Sequence, residues 1–106
     1  MKVKELKEHL RKGKKLKIYD IRESSELVKG KKMYRAKHVP MGQVFLDAAK
    51  GKLPKKEKIV LVCKSGGRCK IVVKELKKKG YDVDYLEGGI MAWNKDDKKP
   101  VRKRGK

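Results

Sequence analysis

Residues 59–70 read IVLVCKSGGRCK, and this stretch decides the fold that the sequence predicts. The aliphatic run that leads into Cys63 is typical of a strand covered by helices on both faces of a parallel sheet. After two glycines and an arginine, apolar periodicity predicts a helix whose buried side carries Ile71, Val72 and Leu76. The stretch therefore predicts a strand, a glycine-rich loop and a helix in direct succession, with Cys63 at the end of the strand.

Strands and helices alternate along the rest of the chain as well. The predicted helices cover residues 2–12, 41–51, 68–79 and 88–94, with a further helical turn over residues 23–30. The predicted strands or extended segments cover residues 15–22, 36–40, 58–63 and 81–86. This alternation favours an α/β fold, a single domain with a central parallel sheet of about five strands and helices on both faces. Residues 1–100 are assigned to the domain and residues 101–106 to a basic C-terminal tail. Because sites in such sheets form at the carboxyl ends of the strands, Cys63 lies where function is expected.

The composition bounds the class of protein and its partners. The 106 residues suffice for one domain, and 33 Lys and Arg against 13 Asp and Glu give a formal net charge of +20. Abundant lysine with few amide side chains resembles the composition of hyperthermophile proteins. The lysines are dispersed over every segment, which argues against a nucleic-acid partner and favours a monomer whose surface attracts small anions.

Location and cofactors are predicted from what the sequence lacks. No apolar run is long enough to span a bilayer, and residues 1–11 have no apolar stretch of the kind found in secretory signals, so a cytoplasmic protein without membrane partners is expected. Cys63 and Cys69 do not suggest a disulfide framework, and no His/Cys cluster has the spacing of a zinc site. The sequence therefore predicts neither a metal nor another cofactor.

The loop after Cys63 has the composition of an anion cradle around a thiol. Gly66 and Gly67 can adopt left-handed dihedrals without steric cost, so that successive N–H groups turn inward and bind an anion. The N-terminus of the following helix and the charges of Lys64 and Arg68 add to this field. A thiol with a pKa of about 8.5 in isolation can fall to roughly 3.5–7.5 in such surroundings. Cys63 is therefore predicted to be a thiolate nucleophile; the alternative is a small buried apolar residue beside an ordinary tight turn.

Four motifs together resemble a known family. They are YDIRE (residues 19–23), KHVP (37–40), IVLVCKSGGRCK (59–70) and LEGGIMAW (86–93), in the order and spacing of the rhodanese-like domain over about residues 15–100. The resemblance implies a sulfurtransferase in which Cys63 accepts a sulfane sulfur from a small anionic donor such as thiosulfate. The resulting persulfide would pass its sulfur to cyanide, a thiol or a protein acceptor.

The resemblance also assigns roles to single residues. The loop amides of Gly66 and Gly67, with Ser65, would stabilise the persulfide, and Lys64 and Arg68 would attract the sulfonate of the donor. The remaining motif residues would be structural supports: Asp20, Arg22, Gly88 and Gly89.

One position departs from the family pattern. Cys69 stands where similar domains commonly have serine, and two interpretations remain open. It is a small buried residue at the start of a helix, or it lies near enough to Cys63 to attack the persulfide, form a disulfide and release sulfide. The predicted site thus comprises Cys63 and Arg68 as catalytic residues, with five further residues in contact with substrate: Lys64, Ser65, Gly66, Gly67 and Cys69.

Two other functions compete with sulfur transfer. A cysteine-dependent phosphatase or arsenate reductase uses the same thiolate, amide cradle and arginine, but its loop needs five residues between cysteine and arginine. This chain has only residues 64–67 there, a tighter ring sized for one sulfur atom. A non-enzymatic sulfur-relay or interaction module is the other alternative, and the presence of Cys63 argues against an inactive one.

Overall fold

The computed structural model describes residues 1–23, 35–64 and 66–96, and it confirms a single small α/β domain. The described helices are α1 (Val3–Arg11), α2 (Met41–Ala49), α3 (Gly67–Lys78) and α4 (Gly89–Asp96). The described strands are β1 (Leu16–Asp20), β2 (Lys37–His38), β3 (Lys58–Val62) and β4 (Val83–Tyr85). Three predictions lie outside the described residues: the role of Ser65, the helical turn at residues 24–30 and the tail at residues 101–106. No helix in the described parts of the chain is long and apolar enough to cross a membrane.

The sheet is parallel throughout, with the strand order β2-β1-β3-β4. The described residues contribute four strands, where about five were predicted. Strand β3 pairs with β1 from Leu16 opposite Lys58 to Asp20 opposite Val62. The two central strands therefore end side by side, and Asp20 comes next to the residue that precedes Cys63.

Helices cover both faces of the sheet, as predicted. Ile59 and Leu61 of β3 belong to the core under α2 and α3, whereas Val60 and Val62 belong to the core under α1 and α4. All four side chains are fully buried, with 0% exposure. This burial explains why the strand reads as a continuous aliphatic run, because neither of its faces meets water.

The prediction for the buried side of α3 was wrong at one residue. Ile71 is 63% exposed, and its neighbour Val73 is buried. The residues that α3 buries are spaced at i, i+3, i+4 and i+7, as expected for one face of a helix: Cys69, Val72, Val73 and Leu76. Ile71 lies outside this set and faces solvent, whereas Cys69 belongs to the buried face of the helix.

Candidate active site

Strand β3 delivers Cys63 to the carboxyl edge of the sheet. Because side chains alternate along a strand, Cys63 points to the same face as Ile59 and Leu61, into the core beneath α3. Its exposure is only 1%. The thiol is therefore not on the surface but just below it, at the point where the strand ends and the loop begins.

The loop turns a peptide N–H toward this thiol. Gly66 has a φ of 104°, in the left-handed region that glycine adopts without steric cost, and it caps the N-terminus of α3. Its N–H donates a hydrogen bond to Cys63 Sγ at 3.0 Å. The predicted inward-facing amide is thus present at Gly66, whereas Gly67 is already the first residue of the helix. A thiolate at this place would meet a directed donor and the positive end of α3 together.

Among the predicted site residues, Cys69 is the one whose side chain is hydrogen-bonded to that of Cys63. It lies in the first turn of α3 with 0% exposure, and its side chain is hydrogen-bonded to that of Cys63. This hydrogen bond and burial raise the pKa of the Cys69 thiol well above its usual range, against the opposing charge of Arg68. The hydrogen bond therefore favours the protonated form of Cys69, with Cys69 as the donor and the sulfur of Cys63 as the acceptor.

Helix α4 holds the other side of the loop. The N–H of Ile90 donates to the carbonyl oxygen of Cys63 at 2.8 Å, and the N–H of Met91 donates to that of Lys64 at 3.2 Å. Since C=O and N–H point in opposite directions across a trans peptide, the Cys63 carbonyl drawn toward α4 leaves the N–H of Lys64 facing away from that helix. Sequence reasoning missed this contact; it gave the glycine pair before α4 only a supporting role.

A buried ion pair stands beside the loop. Asp20 is fully buried and Arg22 is 7% exposed, and Arg22 binds the carboxylate through Nε at 2.9 Å and Nη2 at 2.7 Å. The imidazole of His38 donates from Nε2 to the carbonyl oxygen of Arg22 at 2.7 Å. These contacts fit the supporting role predicted for Asp20 and Arg22, because they hold the chain after β1 next to the end of β2.

A cavity of about 280 Å³ opens against the loop, lined by Arg22, Lys64, Ile90 and Met91. Two cationic side chains and the exposed Met91 give it a positively charged and partly apolar wall. Arg22 was predicted only as a support, and its place on this wall is an addition. A larger cavity of about 460 Å³ between α1 and the end of α4 is lined by charged residues without a nucleophile.

The structure thus brings four of the predicted site residues to one place: Cys63, Lys64, Gly66 and Cys69. Arg68 is half-buried in the first turn of α3, and its charge acts on Cys69. Gly67 lies in the same turn but is exposed. Within the described residues, no three His, Cys, Asp or Glu side chains are grouped to hold a metal ion.

Comparison with known proteins assigns the chain to a family. The sequence profile of the Rhodanese-like domain matches residues 2–96. The chain belongs to the rhodanese-like family. A Bacillus subtilis (strain 168) relative named "Putative sulfurtransferase YtwF" is 33% identical over 93 residues, which cover 88% of this chain and 87% of the relative.

Other rhodanese-like proteins agree in sequence and in structure. A Mycobacterium tuberculosis protein named "Probable adenylyltransferase/sulfurtransferase MoeZ" is 33% identical over 97 residues, 87% of this chain but only 24% of that protein. The crystal structure of a rhodanese-like domain protein from Staphylococcus aureus superposes with a TM-score of 0.77 at 31% identity, covering 88% of each chain. The family to which the chain belongs therefore includes proteins named as sulfurtransferases.

Proposed function

We propose that the protein is a sulfurtransferase that carries a sulfane sulfur as a persulfide on Cys63. The thiolate of Cys63 attacks the outer sulfur of thiosulfate; a sulfur–sulfur bond to Cys63 forms, the bond to the sulfonate sulfur breaks, and sulfite leaves with the electron pair. The outer sulfur then passes to a thiophilic acceptor, which is cyanide, a thiol or a protein. With cyanide the products are thiocyanate and the original thiolate.

The hydrogen bond from Gly66 N–H to Cys63 Sγ at 3.0 Å is the observation that carries this proposal. A donor aimed at the sulfur stabilises negative charge there, and the thiolate is the nucleophilic form of cysteine. The protonated thiol of Cys69 adds a second donor to the same sulfur. Two donors on one buried sulfur fit a nucleophile better than they fit a packing residue.

The cavity beside the loop suits an anionic donor. Lys64 and Arg22 line it, and a divalent anion such as thiosulfate would be drawn toward these two charges. Arg22 shares its charge with Asp20, so Lys64 contributes the larger net attraction. Arg68, in the first turn of α3, adds a positive charge near the two sulfurs.

Mass spectrometry of the intact protein after incubation with thiosulfate tests the proposal. We expect the wild type to gain one sulfur atom and to lose it again, with formation of thiocyanate, when cyanide is added. Cys63→Ala is the matched control, because it retains Cys69 and therefore shows whether the second thiol can be loaded alone. A wild type that gains no sulfur, or a Cys63→Ala variant that gains as much as the wild type, would contradict the assignment.

A further inference from the structure

The thiol of Cys69 is buried in contact with the thiol of Cys63. The proposed transfer of sulfur from donor to acceptor does not require this second thiol. We propose that Cys69 resolves the Cys63 persulfide, so that a loaded protein without an external acceptor releases hydrogen sulfide and closes a Cys63–Cys69 disulfide. This inference rests on the proposed sulfurtransferase function, because it begins from the persulfide.

The placement of the two sulfurs supports an attack within the chain. Cys63 ends β3 and Cys69 lies in the first turn of α3, and their side chains are hydrogen-bonded to each other. The segment between them contains Gly66 in a left-handed conformation and Gly67, where an added methyl group would meet no atom within 4 Å. A glycine-rich connection of this kind can move by the small distance that separates a sulfur–sulfur contact from a bond.

Burial favours the internal thiol over an external one. Cys63 is 1% exposed and Cys69 is 0% exposed, so a thiol from solution that attacked the inner sulfur, as Cys69 does, would have to pass the loop. Cys69 is already in contact with that sulfur. Groups held in reacting position behave as if present at very high concentration, on the order of 10⁵ M or more in well-oriented cases. When external acceptors are scarce, attack by Cys69 is therefore the fastest route open to the persulfide.

The step balances without another reactant. Cys69 sulfur bonds to Cys63 Sγ, the bond from Sγ to the outer sulfur breaks, and the outer sulfur takes that electron pair together with the proton of Cys69. The products are one disulfide and HS⁻, so Cys69 is oxidised and the sulfane sulfur is reduced. To repeat the cycle, a dithiol reductant has to restore the two thiols.

Loading itself removes the obstacle to this attack. In the resting state the hydrogen bond to Cys63 raises the pKa of Cys69, so that the proton stays on Cys69. In a persulfide the negative charge lies on the outer sulfur, and Cys63 Sγ becomes a weak acceptor. Cys69 then loses the partner that raised its pKa, and its proton can move to the sulfur that departs.

The test compares the wild type with Cys69→Ser, which keeps a hydrogen-bond donor but cannot form the disulfide. Both proteins are loaded with thiosulfate, freed of excess donor, and sampled over time by acid quenching and alkylation under denaturing conditions. We expect the wild type to release one sulfide per chain and to end two hydrogen atoms lighter than the reduced protein, unalkylated, with Cys63 and Cys69 in one linked peptide. Cys69→Ser is expected to release sulfide at least about tenfold more slowly.

Dithiothreitol provides a second readout, since its addition to the spent wild type should restore both alkylation and loading. Equal retention of sulfur by the wild type and Cys69→Ser would overturn the inference and leave the proposed function standing. Equally fast release from both proteins would overturn it as well, because sulfide would then leave without the Cys69 thiol. If neither protein gains sulfur, the proposed function and this inference fail together.

Discussion

The chain has two glycine pairs before helices at the carboxyl edge of the sheet, and the structure requires them for different reasons. At Gly66 the backbone has a φ of 104°, while an added Cβ would meet nothing closer than 3.5 Å. At Gly89 an added Cβ would lie 2.3 Å from the carbonyl oxygen of Cys63, and at Gly88 it would lie 2.6 Å from the Cβ of Ala92. The first pair bends the loop around the sulfur, and the second lets α4 press against the outside of the same loop.

The two glycine pairs show that the surroundings of the Cys63 sulfur are determined by α3 on one side and by α4 on the other. Helix α3 and its cap supply N–H and S–H donors to Cys63 Sγ. On the other side, α4 binds the carbonyl oxygens of Cys63 and Lys64 and thereby fixes the orientation of these peptides. A helix N-terminus normally offers free N–H groups to an anion. At α4 two of these groups donate to the loop backbone, whereas α3 presents its N-terminal end to Cys63.

The largest effect is expected at the second pair. Gly89→Ala places a methyl group against two backbone carbonyls, those of Cys63 and Lys64, and neither can move without shifting the loop. Overpacking together with a left-handed alanine should lower the free energy of unfolding by at least about 3 kcal/mol. Urea unfolding followed by circular dichroism measures it.

Gly67→Ala is the matched control for this substitution. Its methyl group would have nothing within 4 Å, and the residue already begins a helix, where alanine is favoured. We expect a change of no more than about 1 kcal/mol, in the stabilising direction. If the two alanine variants unfold at the same urea concentration, the steric account of the second pair is wrong.

An intermediate effect is expected at the first pair. Gly66→Ala has space for its methyl group but has to hold a positive φ, which costs an L-residue roughly 1–2 kcal/mol. The same urea titration should place this variant between the other two. A larger loss of stability in Gly66→Ala than in Gly89→Ala would contradict the prediction that the steric requirement at Gly89 is stronger than the conformational requirement at Gly66.

The last expected effect depends on pH, because Cys63 and Cys69 are ionisable and lie on either side of the first glycine pair. The raised pKa of Cys69 means that the folded protein keeps a proton which the unfolded chain loses near about pH 8.5. The folded state binds more protons above that pH, so stability falls as pH rises, by up to about 1.4 kcal/mol per pH unit, and is unaffected below it.

Urea unfolding of the wild type and of Cys69→Ser between about pH 7 and about pH 9.5 checks this slope. The stability difference between the two proteins should stay constant up to about pH 8 and then change in favour of the variant. A difference that is flat over the whole range would show that Cys69 does not hold its proton in the folded state.

Local patterns predicted the elements of the fold because each one depends on neighbours in sequence. The aliphatic run before Cys63 predicted β3, and the glycines after it predicted a loop with an inward amide, which is found at Gly66. The boundary of α3 was displaced by a single residue, since Gly67 rather than Arg68 begins it. Glycine that serves as a first helical residue looks the same in sequence as glycine in a loop.

Contacts between distant segments were beyond the sequence. The exposure of Ile71 depends on which side of α3 meets the sheet, and one apolar residue at the margin of a stripe does not reveal it. The hydrogen bonds from Ile90 and Met91 to the loop carbonyls join residues about 27 positions apart, and no local periodicity records them. Cys69 is buried, as one of the two open interpretations required, and its hydrogen bond to Cys63 depends on the register of α3 against β3, which the sequence does not record.

The position of α4 in the chain has a consequence for biosynthesis. Helix α4 packs with α1 over one face of the sheet, where Lys7 binds the carboxylate of Asp96 at 3.0 Å. Among the described elements α4 is made last, so on the ribosome the face of the sheet under α1 and α4 is incompletely covered, and the loop after Cys63 lacks its contacts with α4, until the chain has been translated through Asp96. The nascent chain therefore completes the surroundings of Cys63 only as the whole domain closes.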